Sequence, residues 1–287
     1  KQEGMRKNMK KNLNFYITLW IVKLISAGLK LLGKNATYYP GKLALDMCPG
    51  FMGMLDKPKT IIGVTGTNGK TTVSNMINDI LIDNGYKIIN NKYGSNIDAG
   101  IATTLLQGAT LFGKSKKEIA VLEIDERSAP KVFPYITPTY LICTNIFRDS
   151  LMRNAHTEFI SEIVSKNVPK DTIVIENADD LICSGIAPNN AKIYFSIDKL
   201  DTDTKEPHNI VRDIITCPVC NTKLEYEYYR YHHIGKAHCP KCGFGTPKAD
   251  YIANNIDINN NSFRANGINR RSNKQFICKA KNSRNKI

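Results

Sequence analysis

The chain has 287 residues, enough for one large α/β domain with attachments or for two modest domains. Hydrophobic residues make up 42% and charged residues 23%, which excludes a wholly disordered chain. No apolar stretch is read as reaching the roughly 20 residues of a membrane-spanning helix. The net charge of +14 sits at the ends: residues 1–34 hold eight Lys/Arg against Glu3, residues 264–287 hold eight against no acid, and the segment between is balanced. A nucleic-acid groove would carry its basic surface on the folded body, so no nucleic-acid partner is expected.

After Arg6, Lys7, Lys10 and Lys11, an apolar run from Leu13 to Val22 opens a helical pattern. Ile17, Trp20, Ile21, Leu24, Ile25, Gly28 and Leu32 fall on one stripe, with Lys23 and Lys30 off it. Such a helix either packs on the protein's own core or lies on an anionic membrane surface, where Trp20 and the basic flanks help. Ser26-Ala27-Gly28 would also suit a signal peptide, but the phosphate loop and paired cysteines downstream favour the reducing cytosol. Residues 1–57 read as this helix plus a linker punctuated by Pro40-Gly41, Pro49-Gly50 and Lys57-Pro58.

A strand is predicted at Thr60–Thr65, followed by a glycine-rich turn and a helix with Val73, Met76, Ile77, Ile80 and Leu81 on one face, ending at Asn84-Gly85. Tyr86–Ile89, Ile119–Ile124, Tyr140–Thr144 and Thr172–Ile175 read as further strands. Strands alternating with helices predict an α/β fold with a doubly wound, mostly parallel sheet over residues 58–263. From Phe263 the apolar periodicity fades, and residues 264–287 are expected to form a basic, disordered tail.

Ile61-Ile62-Gly63-Val64-Thr65-Gly66-Thr67-Asn68-Gly69-Lys70-Thr71-Thr72 joins the first strand to its helix in the manner of a phosphate-binding loop (P-loop). Glycines let the backbone wrap closely, and the helix N-terminus adds positive potential. Lys70 would reach the β- and γ-phosphates of a nucleotide, and the Thr71 hydroxyl would hold magnesium. The general pattern places glycine five residues before Gly69, where this chain has Val64.

Four of the eight cysteines form two tight pairs, Cys217-Pro-Val-Cys220 and Cys239-Pro-Lys-Cys242, eighteen residues apart. This spacing predicts a zinc ribbon inserted at 214–246, with a strand at Leu224–Tyr231 between the pairs. Four thiolates close the coordination shell, so the zinc would be structural. His232, His233 and His238 lie nearby, and His238 is the alternative ligand. Cys48, Cys143, Cys183 and Cys278 read as small apolar residues.

The loop from Thr65 to Thr72, Val121-Leu122-Glu123 ending one strand and Cys143-Thr144-Asn145-Ile146 ending the next together resemble the Mur ligase family, ATP-dependent enzymes that join an amine to a carboxylate. The resemblance implies ATP bound by Gly66, Thr67, Asn68, Gly69, Lys70, Thr71 and Thr72, with Lys70 catalytic and Glu123 joining Thr71 at magnesium. The family's D-H-L-D reads here as Asp149-Ser150-Leu151-Met152, and no metal role is carried over to it.

Pro40-Gly41-Lys42, Tyr93-Gly94-Ser95-Asn96, Asn145-Ile146-Phe147-Arg148-Asp149 and the four-cysteine insert are similar to one amidating branch of that family, over roughly residues 15 to 263. That likeness implies phosphorylation of the α-carboxylate of D-glutamate in the stem peptide of lipid II, then attack by ammonia to give D-isoglutamine. The ammonia would come from a glutaminase partner, GatD, in a heterodimer. The setting would be peptidoglycan synthesis in the cytoplasm, with peripheral contact at the inner membrane face. Family members continue into a third domain that the match does not reach, so this chain alone is expected to bind nucleotide weakly and to leave the amidation incomplete. The alternatives are a Mur-type ligase that adds an amino acid, and a non-catalytic nucleotide-binding or docking module.

Overall fold

The computed structural model describes residues 9–34, 36–92, 95–148, 157–207, 213–259, 262–272 and 274–281. Helix α1 (Leu13–Leu31) starts at Asn12, whose side chain accepts the Phe15 N–H at 2.8 Å. Helices α2 (Tyr39–Met47) and α3 (Phe51–Met54) follow where a linker is expected from sequence. Pro40 stands in the first turn of α2, where a missing N–H costs nothing, so the Pro-Gly pair opens a helix instead of a loop. Phe15, Leu19 and Val22 of α1 and Phe51 and Leu55 share one buried cluster with Ile101, Leu106, Leu122 and Phe133. The N-terminal segment therefore belongs to the main core.

The stripe predicted on α1 faces the other way. Phe15, Thr18, Leu19, Val22 and Ser26 are the buried positions, while Ile17, Trp20, Ile21 and Leu24 are exposed. Because α1 carries apolar residues on two opposite faces, with Lys23 and Lys30 between them, periodicity finds a face without deciding which one packs. By length and composition this helix is also long and apolar enough to cross a membrane, which corrects the sequence reading.

The central sheet forms from β1 (Thr60–Thr65), α4 (Lys70–Asp83), β2 (Ile88–Asn90), α5 (Asp98–Gly108), β3 (Ile119–Glu123), α6 (Ala129–Val132), β4 (Tyr140–Cys143), α7 (Thr157–Asn167), β5 (Ile173–Asn177) and β6 (Lys192–Ile197). With β9 (Tyr251–Asn259), β10 (Ser262–Asn269) and β11 (Lys274–Lys281), its order is β11-β10-β9-β6-β5-β4-β1-β3-β2, and every pair from β2 across to β9 is parallel. The chain leaves β1 in one direction along the sheet and β3 in the other. That reversal opens a crevice at the C-terminal ends of β3, β1 and β4, the usual place for a ligand in such sheets.

Parallel neighbours need a long crossover, usually a helix. Between β6 and β9 (Tyr251–Asn259) the crossover contains instead the hairpin β7 (Glu225–Tyr231) and β8 (Ile234–His238) with the four cysteines. The expected disordered tail is also corrected. β10 (Ser262–Asn269) pairs antiparallel with β9, and β11 (Lys274–Lys281) pairs antiparallel with β10. A boundary at 263 would cut β10 in two. Main-chain pairing along an existing strand holds this meander, so it needs little of the apolar content on which the sequence reading relied.

Candidate active site

The loop after β1 is fixed by the end of β4. The Thr67 N–H donates to Asn145 O at 2.8 Å and the Asn68 N–H to Asn145 Oδ1 at 2.9 Å. The Thr144 hydroxyl donates to Asn68 O at 2.7 Å, and the Asn145 side-chain amide donates to the same oxygen at 3.0 Å. Gly66 stands at φ 121°, and a Cβ there would come within 2.3 Å of Thr144 Oγ1. Glycine is required at this point both for backbone conformation and for space. Thr144 and Asn145 are thus the clasp of the loop, which is a physical reason for those residue types at the end of β4.

Lys70 opens α4, and no side chain caps that helix. Its ammonium group donates to Gly66 O, lies 3.3 Å from Thr67 O and is 3.4 Å from Glu126 Oε1. The Thr71 hydroxyl donates to Glu123 Oε2 at 2.9 Å, and the Asn96 amide donates to Glu123 Oε1 at 3.3 Å. The Glu123 main chain is held on both sides by Asn91, which donates to its carbonyl and accepts from its N–H, each at 2.8 Å. One crevice therefore gathers a helix N-terminus, an ammonium group, a hydroxyl and a carboxylate. That set can take a phosphate chain and a hard divalent cation.

The structure brings Gly66, Thr67, Asn68, Gly69, Lys70, Thr71, Thr72 and Glu123 to this crevice. Asp149-Ser150-Leu151-Met152 and Tyr93-Gly94 lie outside the described residues. Sequence reasoning missed Glu126 and Asn91 and quoted Asn96 only within Tyr93-Gly94-Ser95-Asn96, with no role; the run of acids at Glu123, Asp125 and Glu126 signalled a second carboxylate.

The four cysteine sulfurs lie within 4.8 Å of one another, with Cys217 and Cys242 at 3.5 Å and Cys220 and Cys239 at 3.4 Å. Each pair sits on a tight knuckle: the Asn221 N–H donates to Cys217 O at 2.9 Å, and the Gly243 N–H to Cys239 O at 3.0 Å. Asn221 and Gly243 adopt φ of 57° and 76°, which suits Asn and Gly after each second cysteine. A tetrahedral zinc with bonds of about 2.3 Å would set its sulfurs about 3.8 Å apart, so the donor set fits that ion. The predicted alternative ligand, His238, is exposed and lies 3.5 Å from Glu225. Cys48, Cys143 and Cys183 are buried, in keeping with small apolar residues, and the Cys278 side chain lies outside the described residues.

A polar network, also missed from sequence, ties this module to the crevice. His233 is buried, with Nε2 3.0 Å from Asp180 Oδ1 and Nδ1 3.4 Å from Asp213 Oδ2. Burial opposes its charge, but the carboxylates of Asp180 and Asp213 more than offset this and raise the imidazole to about 9. Asp180 Oδ2 also accepts the Ile146 N–H at 2.8 Å, directly beyond the Thr144-Asn145 clasp. Arg230 bridges Asp179 at 2.7 Å and Asp203 at 2.9 Å. The adjacent acids Asp179 and Asp180 were the available sequence signal.

Residues 64–238 match the family model of the Mur ligase middle domain. Curated relatives include the lipid II isoglutaminyl synthase (glutamine-hydrolyzing) subunit MurT of Staphylococcus aureus strain COL, 30% identical over 246 residues, covering 85% of this chain and 55% of the relative. The same subunit of Streptococcus pneumoniae strain ATCC BAA-255 / R6 is 34% identical over 241 residues, covering 82% of this chain and 53% of the relative. The chain thus spans about half the length of these relatives. Among solved structures, MurF from Acinetobacter baumannii matches with a TM-score of 0.53 at 14% identity, covering 83% of this chain and 42% of that one, a likeness of fold.

Proposed function

This chain belongs to the Mur ligase family, and on that premise we propose that it supplies the ATP-using site of a carbon–nitrogen ligase in peptidoglycan synthesis. The observation that carries the reading is the meeting of Thr71 Oγ1 and Glu123 Oε2 at 2.9 Å beside Lys70, at the start of α4. ATP is the nucleotide that this crevice takes. Gly66, Thr67, Asn68, Gly69 and Thr72 shape the cradle, Lys70 faces the β- and γ-phosphates, and Thr71 and Glu123 hold magnesium. A hydroxyl and a carboxylate are hard oxygen donors of the kind that ion prefers. Magnesium, when bound, neutralises charge on the terminal phosphates.

The substrate we assign is the α-carboxylate of D-glutamate in the stem peptide of lipid II, by analogy with the MurT relatives. A carboxylate is a poor electrophile. Transfer of the γ-phosphoryl group to its oxygen forms an acyl phosphate and releases ADP. Ammonia then attacks the carbonyl carbon, the C–O bond to phosphate breaks, and the amide forms as inorganic phosphate leaves with the electron pair and takes up the proton that the nitrogen gives up. Lys70 contributes by holding the phosphates in line, so catalysis is mainly positioning and charge compensation. The ammonia is assigned to a glutaminase partner of the GatD type, because the relatives are glutamine-hydrolyzing synthase subunits. Zinc on Cys217, Cys220, Cys239 and Cys242 has a structural role, holding the module closed.

The test combines calorimetric ATP binding, with and without magnesium, and positional exchange of 18O between the β,γ-bridge and the non-bridging β-oxygens of ATP in the presence of a soluble stem-peptide analogue. We expect magnesium-dependent binding, and exchange that requires the free D-glutamate α-carboxylate. Binding indifferent to magnesium and to Lys70→Ala, or exchange indifferent to the carboxylate, overturns the proposal.

A further inference from the structure

The outward face of α1 is a second surface, distinct from the nucleotide crevice. Leu13, Ile17, Trp20, Ile21, Leu24 and Leu31 follow one another at helical spacing along about 28 Å of surface. Leu24 is 74% exposed and Leu31 89%. Leu111 and Phe112, both exposed, extend the patch sideways from the turn that follows α5. That turn is anchored to the helix: Trp20 Nε1 donates to Leu111 O at 2.9 Å, Lys11 Nζ to Phe112 O at 3.2 Å, and Lys23 Nζ to Ala109 O at 2.7 Å.

The rim of this patch is mainly cationic. No Asp or Glu occurs from residue 4 to residue 45 or from residue 99 to residue 117. Lys10, Lys30, Lys34, Lys114 and Lys116 are exposed around it. Lys30 and Lys116 approach Lys23 closely enough that, after burial, their charges depress its protonation further. Near the start of α1, Asp56 is paired with Lys11 at 2.9 Å and Asp46 with Lys42 at 2.6 Å. A continuous apolar ridge inside a cationic rim complements a layer that is apolar within and anionic at its surface.

We propose that α1, with Leu111 and Phe112, is a lipid-facing surface that lies in the headgroup region of an anionic bilayer. The helix lies along the bilayer and does not cross it, because Phe15, Leu19 and Val22 fasten its opposite side to the protein core. Trp20, half-exposed with its indole N–H already bonded, suits the boundary between headgroups and chains. The surface stands at the end of the sheet where β3 begins, whereas the nucleotide loop leaves the opposite end, so lipid contact and nucleotide binding are separable. The inference holds or fails independently of the ligase reading.

Trp20 is the only tryptophan in the chain, so its emission reports on this surface alone. The full chain is titrated with vesicles of phosphatidylcholine, with and without 30 mol% phosphatidylglycerol. With the anionic vesicles, Trp20 emission should move to the blue and be quenched by brominated acyl chains. Partition should exceed that into neutral vesicles at least tenfold. The variant L24E/L31E, altered only at exposed positions, should lose partition at least tenfold while its melting temperature stays as in the parent. Lys114→Glu with Lys116→Glu should weaken partition without touching the ridge. Unchanged Trp20 emission, equal partition into neutral vesicles, or full binding by L24E/L31E overturns the proposal. A blue shift that grows with protein concentration in the absence of lipid also overturns it, by assigning the ridge to a second copy of the chain.

Discussion

Thr67 and Phe147 exchange hydrogen bonds: the Phe147 N–H donates to Thr67 Oγ1 at 2.9 Å, and that hydroxyl lies 3.3 Å from Phe147 O. The Phe147 ring in turn lies 5.0 Å from the imidazole of His233 and 5.5 Å from the Tyr231 ring. A residue of the nucleotide loop is therefore two contacts away from the hairpin that carries the cysteines.

This coupling predicts that losing the zinc proposed for the cysteine cluster is felt at the loop. Cys217→Ser, or treatment with a strong chelator, should remove one zinc per chain and lower the melting temperature. It should also weaken nucleotide binding several-fold, although Cys217, Cys220, Cys239 and Cys242 are not among the residues that shape the crevice. Elemental analysis alongside fluorescent-nucleotide titration measures both effects. Metal-free protein with parental nucleotide affinity would break the proposed link.

Glu123→Gln and Thr71→Val remove opposite ends of the 2.9 Å contact at the start of α4. Each should weaken ATP binding about tenfold in magnesium, equivalent to about 1.4 kcal/mol, and much less in EDTA. Titration calorimetry under both conditions decides this. An equal loss with and without the cation would point to damage to the fold instead.

Stability should fall as pH rises from about 6.5 to about 9. His233 is raised from 6.5 to about 9, so its contribution is fully present below 6.5 and is lost as pH passes through 9. The size is on the order of 3 kcal/mol for this buried imidazolium. Glu176 runs in the same direction. Burial lifts it to about 8 against the pull of Lys192 at 2.8 Å, so its favourable contribution begins to fade above its ordinary 4.5. Comparison with His233→Asn therefore isolates the imidazolium: the variant should be less stable near pH 6.5 and show a flatter slope up to pH 9. Urea denaturation at several pH values measures it, and parallel slopes would refute the assignment.

Gly66→Ala should disturb the loop, because the added methyl meets Thr144 Oγ1 at 2.3 Å and Asn145 O at 2.8 Å in a backbone conformation that only glycine adopts readily. A cost of about 1–3 kcal/mol is expected. Nucleotide affinity should drop more than thermal stability does. The reverse pattern would mean that the clasp matters to the fold and not to the ligand.

The parts of this protein that were legible in advance are those in which local sequence fixes local geometry. Thr60–Thr65 followed by Gly66, Gly69 and Lys70 states strand, turn and helix within a dozen residues, and each cysteine pair states its own knuckle. Glu123 and Thr144-Asn145 were legible only through the family resemblance, as the ends of Val121-Leu122-Glu123 and of Cys143-Thr144-Asn145-Ile146. The Asp180–His233–Asp213 network was hidden, because its members lie as far as 53 residues apart and meet only when the crossover closes. The face of α1 was hidden for another reason: a helix with apolar residues on two opposite faces offers two periodic stripes. The final strands escaped because antiparallel pairing on a preformed edge leaves a weaker compositional trace than a buried parallel strand.

The crossover between β6 and β9 has a consequence for how the molecule assembles. All strands from β1 to β6 lie in one continuous stretch of chain, residues 60–197, whereas β9 can join β6 only after a loop of 53 residues has been closed. Closing a long loop costs entropy before any pairing returns it. A metal that draws Cys217 and Cys239 together contracts that loop early. The sheet should therefore grow from the nucleotide end outward, with metal capture as the step that admits its last three strands. Starved of the zinc proposed for its four cysteines, the chain should stall with the β6 edge open, and an unpaired edge of this kind invites aggregation.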